Sequence, residues 1–428
     1  MKAVVLAAGE GVRLQPITST RPKHLVEVGG KPILEYCLSS LKASGIDEVL
    51  IVVHYMAEAI RLRFGDGKSF GLRIDYVEQK AIVGTGNAVS VVEPHVSDDF
   101  VLLYGDLLFT TEALKSVIAL HQKERPAATM AVVPVGKPED YGIVELENGN
   151  RVKRIVEKPS RQEAPTNLAN AGIYVFSVEI FERIGRISAS SRGELEITDA
   201  ISLLAKEGKA VLAVTLSPDD WFDIGRPWDL LEANRWALER MNHKVIGFIE
   251  DGAHLIGPVT VAKSARIRSG AYVEGPALID EEADVGPNCY IRPHTSIGKK
   301  VRVGNACEVK NSILMRGTHV GHLSYIGDSI LGEKCNLGAG TVTANYRFDA
   351  GPIKMMVKDK LVNSERKKLG AVLGDNVKTG INALLMPGVK VGSNSWVGPN
   401  VVVDRDLPAN SIMLLKQNTE KRELKSQH

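Results

Sequence analysis

The second half of the chain places an aliphatic side chain at every sixth position. The longest unbroken run contains Val261, Ile267, Val273, Ile279, Val285, Ile291, Ile297, Val303 and Val309. Small residues such as Ala265, Ala271 and Cys289 stand four positions after most of these aliphatic residues. Six-residue periodicity is typical of parallel β-helices, in which each hexad forms one face and three faces close a coil. The sequence therefore predicts a left-handed parallel β-helix of hexapeptide repeats with about six coils.

The six-residue register continues beyond this run, with one long interruption. It resumes at Val320 and Ile326 and again from Leu373 to Val403. Residues 345–372 lie between these segments, leave the register and are rich in lysine and arginine. We therefore predict a β-helix over residues 251–410 that carries an insertion at 345–372 and is followed by a C-terminal tail at 411–428.

The first half of the chain is organised differently. Short β-rich runs such as AVVLA, EVLIVV and FVLLYGD alternate with helical runs such as PILEYCLSSLKASG and TEALKSVIALHQKE. This alternation is typical of α/β folds, in which ligands bind at the carboxyl ends of parallel strands. Later strand-like runs lack long helices between them, which favours a mixed sheet. The sequence predicts a Rossmann-like α/β domain over residues 1–228, followed by a connecting helix or linker at 229–250.

Composition narrows the range of partners. The 53 lysine and arginine residues nearly balance the 51 aspartate and glutamate residues, so global charge does not indicate nucleic acid or a membrane surface as a partner. The chain has no uninterrupted apolar run of about 18 residues, the length that a membrane span needs. Its four cysteines are not arranged in a CxxC spacing. We expect these cysteines to be reduced and buried, and the protein to be cytoplasmic.

A glycine-rich turn follows the first predicted strand. In LAAGEGVRLQPITSTRPK, backbone N–H groups at the glycines can approach an anion, and Arg13 and Lys23 add positive charge nearby. The segment lacks the GK[ST] signature of a P-loop and does not meet the dinucleotide pattern GxGxxG. Taken alone, such a turn fits a structural role as well as it fits phosphate binding.

The motifs that follow this turn resemble those of the sugar-1-phosphate nucleotidyltransferases. KPILEY, QKAIVGTGNA, YGD, YGIVE, VEKP, NAGIY and WFDIGRP occur in the order that this family shows. The resemblance implies that an oxygen of a sugar-1-phosphate attacks the α-phosphorus of UTP or dTTP and that pyrophosphate leaves. In such a step the protein mainly positions the reactants and neutralises charge. The resemblance also implies Mg²⁺ or another divalent cation, which prefers oxygen ligands.

The same resemblance assigns roles to individual residues. Lys23 and Arg13 would contact the triphosphate as catalytic residues, while Asp106 and Asp223 would hold the metal ion. The expected nucleotide-binding residues are Leu6, Ala8, Gly9, Gly11, Arg13, Lys23, Gln79, Gly84 and Thr85. The expected residues for the sugar phosphate are Gly142, Glu157, Lys158 and Asn170.

Three of these residues have a simpler interpretation when each is taken singly. Asp106 would fit a helix N-cap, Gln79 a side chain that faces water, and Lys158 a solvated turn residue. The functional roles therefore rest on the joint occurrence of the motifs in one order.

A histidine, His322, interrupts a repeat that needs small and apolar side chains. In GHLSYIGD it stands three positions before Tyr325. An imidazole has an unperturbed pKa of about 6.5, so it is mostly neutral near pH 7 and suited to accept a proton as a general base. The alternative interpretation is a histidine at a coil corner that bonds a backbone carbonyl.

The segments around His322 resemble the acetyltransferase half of the bifunctional enzymes of UDP-N-acetylglucosamine synthesis. YIRPHTS, EVK, GHLSYIGD and NLGAGTVTANY occur in the order found there. The resemblance implies acetyl-CoA as co-substrate, His322 as general base and a homotrimer. The amino sugar phosphate would contact Arg292, Lys310, Tyr325 and Asn336. Acetyl-CoA would contact Ala339, Asn345, Tyr346 and Gly380.

The chain departs from the bacterial members of this family in several places. The basic insertion is longer and closer to that of archaeal relatives; it would line the coenzyme A phosphates or a neighbouring subunit's site, or form a solvated loop. Ile381 and Pro399 replace a serine and an alanine near coenzyme A. Asp223 stands where the uridylyltransferase half has asparagine, whereas hexose-1-phosphate thymidylyl- and uridylyltransferases have aspartate. The nucleobase and the sugar therefore stay open.

The sequence thus predicts a bifunctional enzyme. It would N-acetylate glucosamine-1-phosphate or galactosamine-1-phosphate with acetyl-CoA and couple the product to UTP or dTTP, giving UDP-N-acetylglucosamine or a related nucleotide sugar. One alternative is a single-activity glucose-1-phosphate or mannose-1-phosphate nucleotidylyltransferase with a structural β-helix. The other is a non-catalytic regulatory subunit of the same fold, against which the retained Arg13, Lys23, Asp106 and Asp223 count.

Overall fold

The computed structural model describes residues 1–190 and 193–423. Its internal contacts divide the chain into two compact units. The first unit contains Met1–Val12 and Arg21–Asp229, and the second contains Arg13–Thr20 and the chain from Leu230 onward. Among the described residues, no helix has both the length and the apolar character needed to cross a membrane.

A nine-stranded mixed sheet forms the centre of the first unit. The strands of this unit are β1 (Lys2–Ala7), β2 (Glu27–Val28), β3 (Lys31–Pro32), β4 (Glu48–Val53), β5 (Arg73–Glu78), β6 (Phe100–Tyr104), β7 (Leu107–Phe109), β8 (Ala128–Pro134), β9 (Gly142–Glu147), β10 (Arg151–Glu157), β11 (Leu168–Phe176), β12 (Val211–Thr215) and β13 (Trp221–Asp223). The order in the sheet is β5-β4-β1-β6-β11-β8-β12-β10-β9. Its first four strands are parallel, whereas β11 runs antiparallel to β6. The prediction of a Rossmann-like mixed sheet is confirmed.

Helices cover both faces of this sheet. The helices of the chain are α1 (Ile33–Ala43), α2 (Ala57–Phe64), α3 (Thr85–Ser90), α4 (Thr111–Glu124), α5 (Ile180–Ile184), α6 (Ile197–Lys206) and α7 (Asp229–Glu239). Alternate residues of β1 enter two apolar clusters: Ala3 and Val5 pack with α1, α2 and α4, whereas Val4 and Leu6 pack with α3, α5 and α6. A strand that is buried on both faces must be apolar along its whole length. Polar chemistry is therefore confined to the edge of the sheet where the strands end.

Three parallel sheets form the second unit, as in a left-handed β-helix of hexapeptide repeats. The first face has the strands Phe248–Ile249, Arg266–Ile267, Asp284–Val285, Arg302–Asn305, His319–His322, Asn336–Leu337, Lys378–Thr379, Trp396–Val397 and Ile412–Met413. The second face has His254–Ile256, Tyr272–Glu274, Tyr290–Ile291, Glu308–Lys310, Tyr325–Gly327, Val342–Thr343, Leu384–Leu385 and Val402–Val403. The third face has Val259–Val261, Ala277–Ile279, Thr295–Ile297, Ile313–Leu314, Ile330–Leu331, Val372–Leu373 and Lys390–Val391.

The predicted register fills the interior of this prism. Every aliphatic residue of the unbroken run from Val261 to Val309 is fully buried in one apolar cluster. Cys289 and Cys307 fill small-residue positions of the same cluster, and all four cysteines are free and buried, as predicted. The expected number of coils was too low, because the faces have nine, eight and seven strands in the described part of the chain. The repeat begins before the aliphatic run that the prediction counted and continues beyond Val403.

The insertion forms ordered structure on the prism. Its strands Lys354–Val357 and Lys360–Asn363 pair as an antiparallel hairpin, and Met355 is buried. The Leu369 N–H donates to the Asn345 carbonyl oxygen at 3.1 Å, so the two ends of the insertion meet. The insertion is therefore an ordered hairpin and not an irregular loop, although its lysines are exposed, as the alternative of a solvated loop expected.

Two neighbouring leucines on the second face allow a test of how much burial inside the prism stabilises the protein. Leu385 is fully buried in the prism, whereas Leu384 points outward and is 40% exposed. Leu385→Ala leaves a cavity among stacked side chains, so we expect the free energy of unfolding to fall by about 2–5 kcal/mol. Leu384→Ala is the matched control and should cost less than about 1 kcal/mol. Denaturant titration of the two variants measures both values, and equal losses would contradict the stacking model.

Candidate active sites

The first candidate site lies at the carboxyl ends of β1 and β6. The Gly105 N–H donates to the Leu6 carbonyl oxygen at 2.9 Å, and a Cβ on Gly105 would approach that oxygen to 2.8 Å. Glycine therefore allows the turn after β6 to lie directly against β1. Asp106 follows this turn and leads into β7, so its alternative role as a helix N-cap is wrong; Thr110 caps α4.

A second carboxylate comes from a distant part of the sequence. Strand β13 pairs antiparallel with β7 and sets Asp223 opposite Leu107. The Ile224 N–H donates to the Asp106 carbonyl oxygen at 3.4 Å. This two-stranded ribbon places Asp106, in the turn directly before β7, near Asp223 at the end of β13.

Lys23 forms an ion pair with Asp106, and both side chains are less than one-fifth exposed. Burial opposes the charge of the Asp106 carboxylate, but the Lys23 ammonium outweighs it and the pKa of Asp106 is lowered. The ammonium of Lys23 therefore stabilises the charged form of Asp106. Two carboxylates without a cation beside them would be far more costly to bury at this position.

A further carboxylate, Asp229, lies in the field of Asp223. It accepts backbone N–H bonds from Gly225 at 3.1 Å and Arg226 at 2.7 Å at the start of α7. Burial, reinforced by the negative charge of Asp223, raises the pKa of Asp229 to about 7. Sequence reasoning missed this residue, although an aspartate at the start of a helix is a recognisable capping signal.

The donor set fits a divalent cation that also binds the substrate. Mg²⁺ is usually held by one or two carboxylates together with phosphate oxygens. Asp106 and Asp223 supply such carboxylates. Among the described residues, no group of three or more histidine, cysteine, aspartate or glutamate side chains is arranged to enclose a metal ion.

The loop after β5 is held rigidly. Gln79 is buried, and its side-chain amide donates to the Asn87 side-chain oxygen at 2.9 Å and to the Gly84 carbonyl oxygen at 3.3 Å. The interpretation of Gln79 as a residue that faces water is therefore wrong. Gly84 has φ 110° and a Cβ there would collide with the backbone of Leu195. The Thr85 hydroxyl accepts from the Ile197 N–H at 3.0 Å, so the loop is clamped to the start of α6.

The predicted residues of the glycine-rich turn occupy the carboxyl end of β1. Leu6 belongs to the strand, Ala8 is buried and its carbonyl oxygen accepts from the Tyr55 N–H at 3.4 Å. Gly9 has open space where a Cβ would stand, and Gly11 has φ 66°. Arg13 is exposed in the short 3₁₀ helix Val12–Leu14.

The predicted sugar-phosphate residues lie on the antiparallel side of the sheet. Glu157 pairs with Gly142, and a Cβ on Gly142 would approach the Glu157 carboxylate to 2.8 Å. The Asn170 side chain accepts from the Gly172 N–H at 3.2 Å where β11 bulges away from β8. Lys158 has a positive φ of 44° and is exposed, which keeps the solvated-turn interpretation open for it.

The second candidate site follows one edge of the prism. His322 ends a strand of the first face and is exposed. Its carbonyl oxygen accepts from the Gly340 N–H at 3.2 Å and from the Ser324 hydroxyl at 2.7 Å. Backbone hydrogen bonds and the Ser324 hydroxyl therefore hold this corner, and the imidazole of His322 takes no part in these contacts. Tyr325 begins the second face directly after it.

A polar network on the second face joins four coils. The Lys310 ammonium pairs with Asp328 at 3.3 Å. The Asn345 side-chain amide donates to Asp328 at 2.5 Å and to the Tyr325 hydroxyl at 3.1 Å. Arg292 pairs with Glu308 at 2.9 Å, and Glu308 lies beside Tyr325 in the ladder. The structure thus brings Arg292, Lys310, Tyr325 and Asn345 together, through two carboxylates that sequence reasoning missed.

The other predicted acetyl-site residues lie on or beside the first face. Asn336 pairs with His319 and projects outward. Ala339 follows that strand and its carbonyl oxygen accepts from the Asn382 N–H at 2.8 Å. Gly380 packs so closely on the next coil that a Cβ would approach the Pro399 nitrogen to 2.5 Å. Tyr346 is 51% exposed at the base of the insertion.

Comparisons with known proteins cover both units. Residues 2–240 match the family model described as nucleotidyl transferase, residues 273–386 match a GMPPB C-terminal domain, and residues 370–405 match bacterial transferase hexapeptide repeats. The chain is 42% identical to a protein of Methanocaldococcus jannaschii named bifunctional protein GlmU, over 99% of this chain and 100% of the relative. It is 40% identical to the bifunctional sugar-1-phosphate nucleotidylyltransferase/acetyltransferase of Sulfurisphaera tokodaii, over 95% and 98%.

A solved structure resembles the first part of the chain. It is described as a putative glucose-1-phosphate thymidylyltransferase of Bacillus anthracis in complex with a sucrose. The match has a TM-score of 0.52 and 30% identity, and it covers 57% of this chain and 98% of that chain.

Acid stability of the first unit should depend on His24, which packs beside Lys23. Burial, with the Lys23 charge, lowers the pKa of His24 to about 3. In the unfolded chain the pKa is about 6.5, so the unfolded state binds the extra proton between these values and stability falls as the pH falls from about 6.5 to 3. This loss should amount to about 4 kcal/mol and should be absent from His24→Asn. His254→Asn, at an exposed histidine, is the control, and identical pH profiles for all three proteins in denaturant titrations would contradict the prediction.

Proposed function

The chain belongs to the nucleotidyl transferase family, among its bifunctional sugar-1-phosphate nucleotidylyltransferase/acetyltransferases, and from that premise we propose that it catalyses two reactions at two separate sites. The second unit N-acetylates glucosamine-1-phosphate, or galactosamine-1-phosphate, with acetyl-CoA. The first unit transfers a nucleotidyl group from UTP or dTTP to the acetylated sugar-1-phosphate and releases pyrophosphate. The product is UDP-N-acetylglucosamine or a related nucleotide sugar.

The observation that carries this proposal is that each unit gathers its own cluster of charged side chains. The first unit joins Lys23, Asp106 and Asp223 at the carboxyl edge of its sheet. The second unit carries an exposed histidine at a coil corner and, on the face that follows this corner, a network that contains Arg292 and Lys310. A single-activity enzyme with a structural β-helix would need no such network on the prism.

The residues proposed for nucleotidyl transfer bind and orient two anions. The chain would hold Mg²⁺ or a similar cation through Asp106 and Asp223, and that ion would neutralise the triphosphate. Lys23 and Arg13 would contact the triphosphate, while the clamped loop of Gln79 and Gly84 would bind the base. Orientation and charge neutralisation are the main contributions of a protein to such a displacement.

The remaining residues proposed for the first unit contact the nucleotide or the sugar phosphate that accepts the nucleotidyl group. Leu6, Ala8, Gly9 and Gly11 would bring their backbone to the nucleotide, with Thr85 fixing the base loop. Gly142, Glu157, Lys158 and Asn170 would hold the sugar phosphate, so that its oxygen faces the α-phosphorus. The phosphorus–oxygen bond to the sugar phosphate then forms as the bond to pyrophosphate breaks.

In acetyl transfer His322 would remove a proton from the amine of the sugar. The amine nitrogen then bonds the thioester carbonyl carbon, the carbon–sulfur bond breaks, and the proton passes to the leaving thiolate. Arg292 and Lys310 would bind the phosphate, while Tyr325 and Asn336 bind the sugar. Ala339, Asn345, Tyr346 and Gly380 would line the acetyl-CoA groove.

The nucleobase preference has a second candidate. The solved structure that resembles the first unit is described as a putative thymidylyltransferase, and Asp223 supplies a carboxylate where the uridylyltransferase half of the bacterial bifunctional enzymes has an amide. Because hexose-1-phosphate thymidylyl- and uridylyltransferases both have aspartate at this position, dTTP stands beside UTP as a candidate substrate. Pyrophosphate release with each nucleotide distinguishes the two.

Assembly and compartment are further parts of the proposal. The family resemblance implies a homotrimer, and outward-facing positions of the prism carry exposed apolar side chains, such as Leu323, Ile381 and Trp396, that an interface between subunits would cover. The four free, buried cysteines favour a reducing compartment such as the cytoplasm. Sedimentation equilibrium should give three times the monomer mass, and a stable monomer at micromolar concentration would contradict the trimer.

Two substitutions test whether the activities are separate. His322→Ala should reduce thiol release from acetyl-CoA with glucosamine-1-phosphate by about 10²–10⁴-fold, because the general base is lost. It should leave pyrophosphate release from UTP or dTTP unchanged. Asp106→Asn should lower pyrophosphate release by at least about a hundredfold and leave thiol release unchanged.

Matched controls are available for both substitutions. His319→Ala removes an exposed histidine from the same strand as His322, and Asp98→Asn removes an exposed carboxylate near β6. Both controls should retain both activities. Loss of both activities in a folded His322 or Asp106 variant would contradict the assignment of two sites.

A further inference from the structure

A cavity of about 330 Å³ lies beside the second candidate site, entirely within the second unit. Its walls include Arg292 and Lys310, the two cations proposed to bind the amino sugar phosphate. They also include Arg235 from α7 and Arg366 from the insertion, which the resemblance gives no role. Glu232 is the carboxylate in this lining. The cavity is therefore strongly cationic, as a phosphate site would be.

Arg366 is held in this wall by the fold of the insertion. Its carbonyl oxygen accepts from the Ile353 N–H at 2.9 Å, and its side-chain Nε donates to the Lys368 carbonyl oxygen at 3.3 Å. The side chain is only 18% exposed. Lys368 in turn bridges to Tyr346, a residue proposed to contact acetyl-CoA. The arginine is thus fixed by the same segment that shapes the acetyl site.

The guanidinium of Arg366 is paired with Glu232 of α7. Helix α7 is itself anchored on the prism, since the buried Asn234 side chain donates to the His294 carbonyl oxygen at 2.9 Å and accepts from the Ser296 hydroxyl at 2.6 Å. Glu232 therefore stands at a fixed place in the cavity wall. A carboxylate at this position repels an incoming phosphate. Its presence in the wall is explained if it neutralises a cation while no phosphate is bound.

The other cations of the cavity support this interpretation. Arg292 pairs with Glu308 and Lys310 with Asp328, and these carboxylates belong to the ladder outside the cavity lining. The Nε of Arg292 is buried without a hydrogen-bond partner, which leaves a donor for a ligand. Only the Arg366 pair places its carboxylate in the lining itself. That pair is the one that an entering phosphate would have to separate.

We propose that Arg366 is a phosphate-binding residue of the acetyl-transfer site and that Glu232 is its counter-ion in the free protein. The phosphate of the amino sugar replaces the Glu232 carboxylate on the Arg366 guanidinium, so the insertion contributes to substrate recognition. This inference rests on the proposed acetyltransferase function. It predicts that removal of Arg366 raises KM and that removal of the Glu232 charge does not, whereas a salt bridge that only fastened the insertion to α7 would give the same effect for both.

The test measures thiol release by the full chain as a function of glucosamine-1-phosphate concentration. Arg366→Gln should raise KM for glucosamine-1-phosphate by about ten- to a hundredfold, the value of a charge-assisted bond to phosphate. KM for acetyl-CoA and the rate of pyrophosphate release should stay within about twofold. Glu232→Gln should lower KM for glucosamine-1-phosphate or leave it unchanged, because the competing carboxylate is removed.

Two further variants complete the experiment. Lys367→Gln removes an exposed cation next to Arg366 and should leave KM unchanged, which controls for net charge. Arg366→Lys keeps one positive charge but loses the bidentate geometry, so its KM should lie between those of the wild type and Arg366→Gln. Unfolding titrations of each variant show whether the second unit is folded.

The possible outcomes separate the two hypotheses. The inference is overturned if Arg366→Gln behaves like Lys367→Gln, or if Glu232→Gln raises KM as Arg366→Gln does. In either case, thiol release by the wild type would still support the proposed acetyltransferase function. If the wild type releases no thiol with either amino sugar phosphate, the acetyltransferase proposal fails and this inference fails with it.

Discussion

The second unit depends on one packing constraint, the stacking of one inward-facing apolar side chain per hexad on its equivalent in the next coil. The parallel ladder places Val309 between Ile291 and Ile326, and all three are fully buried. Because the middle residue of each short strand fills the interior, its neighbours must point outward and are free to be polar. Arg292 and Lys310 occupy the same outward position in successive coils, about 4.8 Å apart along the ladder, although a full coil separates them in the sequence. The regular interior thus creates the charged surface on which the acetyl-transfer site is proposed.

Charge compensation before any ligand binds is common to both candidate sites. In the first unit Lys23 pairs with Asp106, and in the second unit Arg366 pairs with Glu232. Partly buried charges that lack a partner are costly, so a folded apo protein must satisfy its binding residues internally. A phosphate or a cation that enters such a site exchanges partners with these residues. The internal partner competes with the ligand, so binding is weaker than at a cation without such a partner, and its specificity depends on which partner is replaced.

The two sites differ in how far the sequence could predict them. The hexad register predicts the burial of all nine aliphatic residues of the run from Val261 to Val309, because a period in the sequence is a period in space for a repeat that contacts only its neighbours. Motif order also pointed to Asp106 and Asp223, and the ribbon of β7 and β13 places them side by side. Periodicity could not predict Asp328, which joins Lys310 to Asn345. Asp229 likewise becomes important only through its distance from Asp223.

The sequence by itself determined the fold class of each half, the buried face of every coil and the identity of the residues that can carry charge or accept a proton. The six-residue period, the alternation of strands with helices and the positions of glycines reflect interactions between residues that are close in the sequence. They can therefore be recognised without a structure. The tertiary structure decided which of those residues meet. It closed the insertion on Asn345 and turned Arg366 toward Glu232. Such encounters depend on loop closure and side-chain packing between distant segments, for which no local pattern in the chain exists.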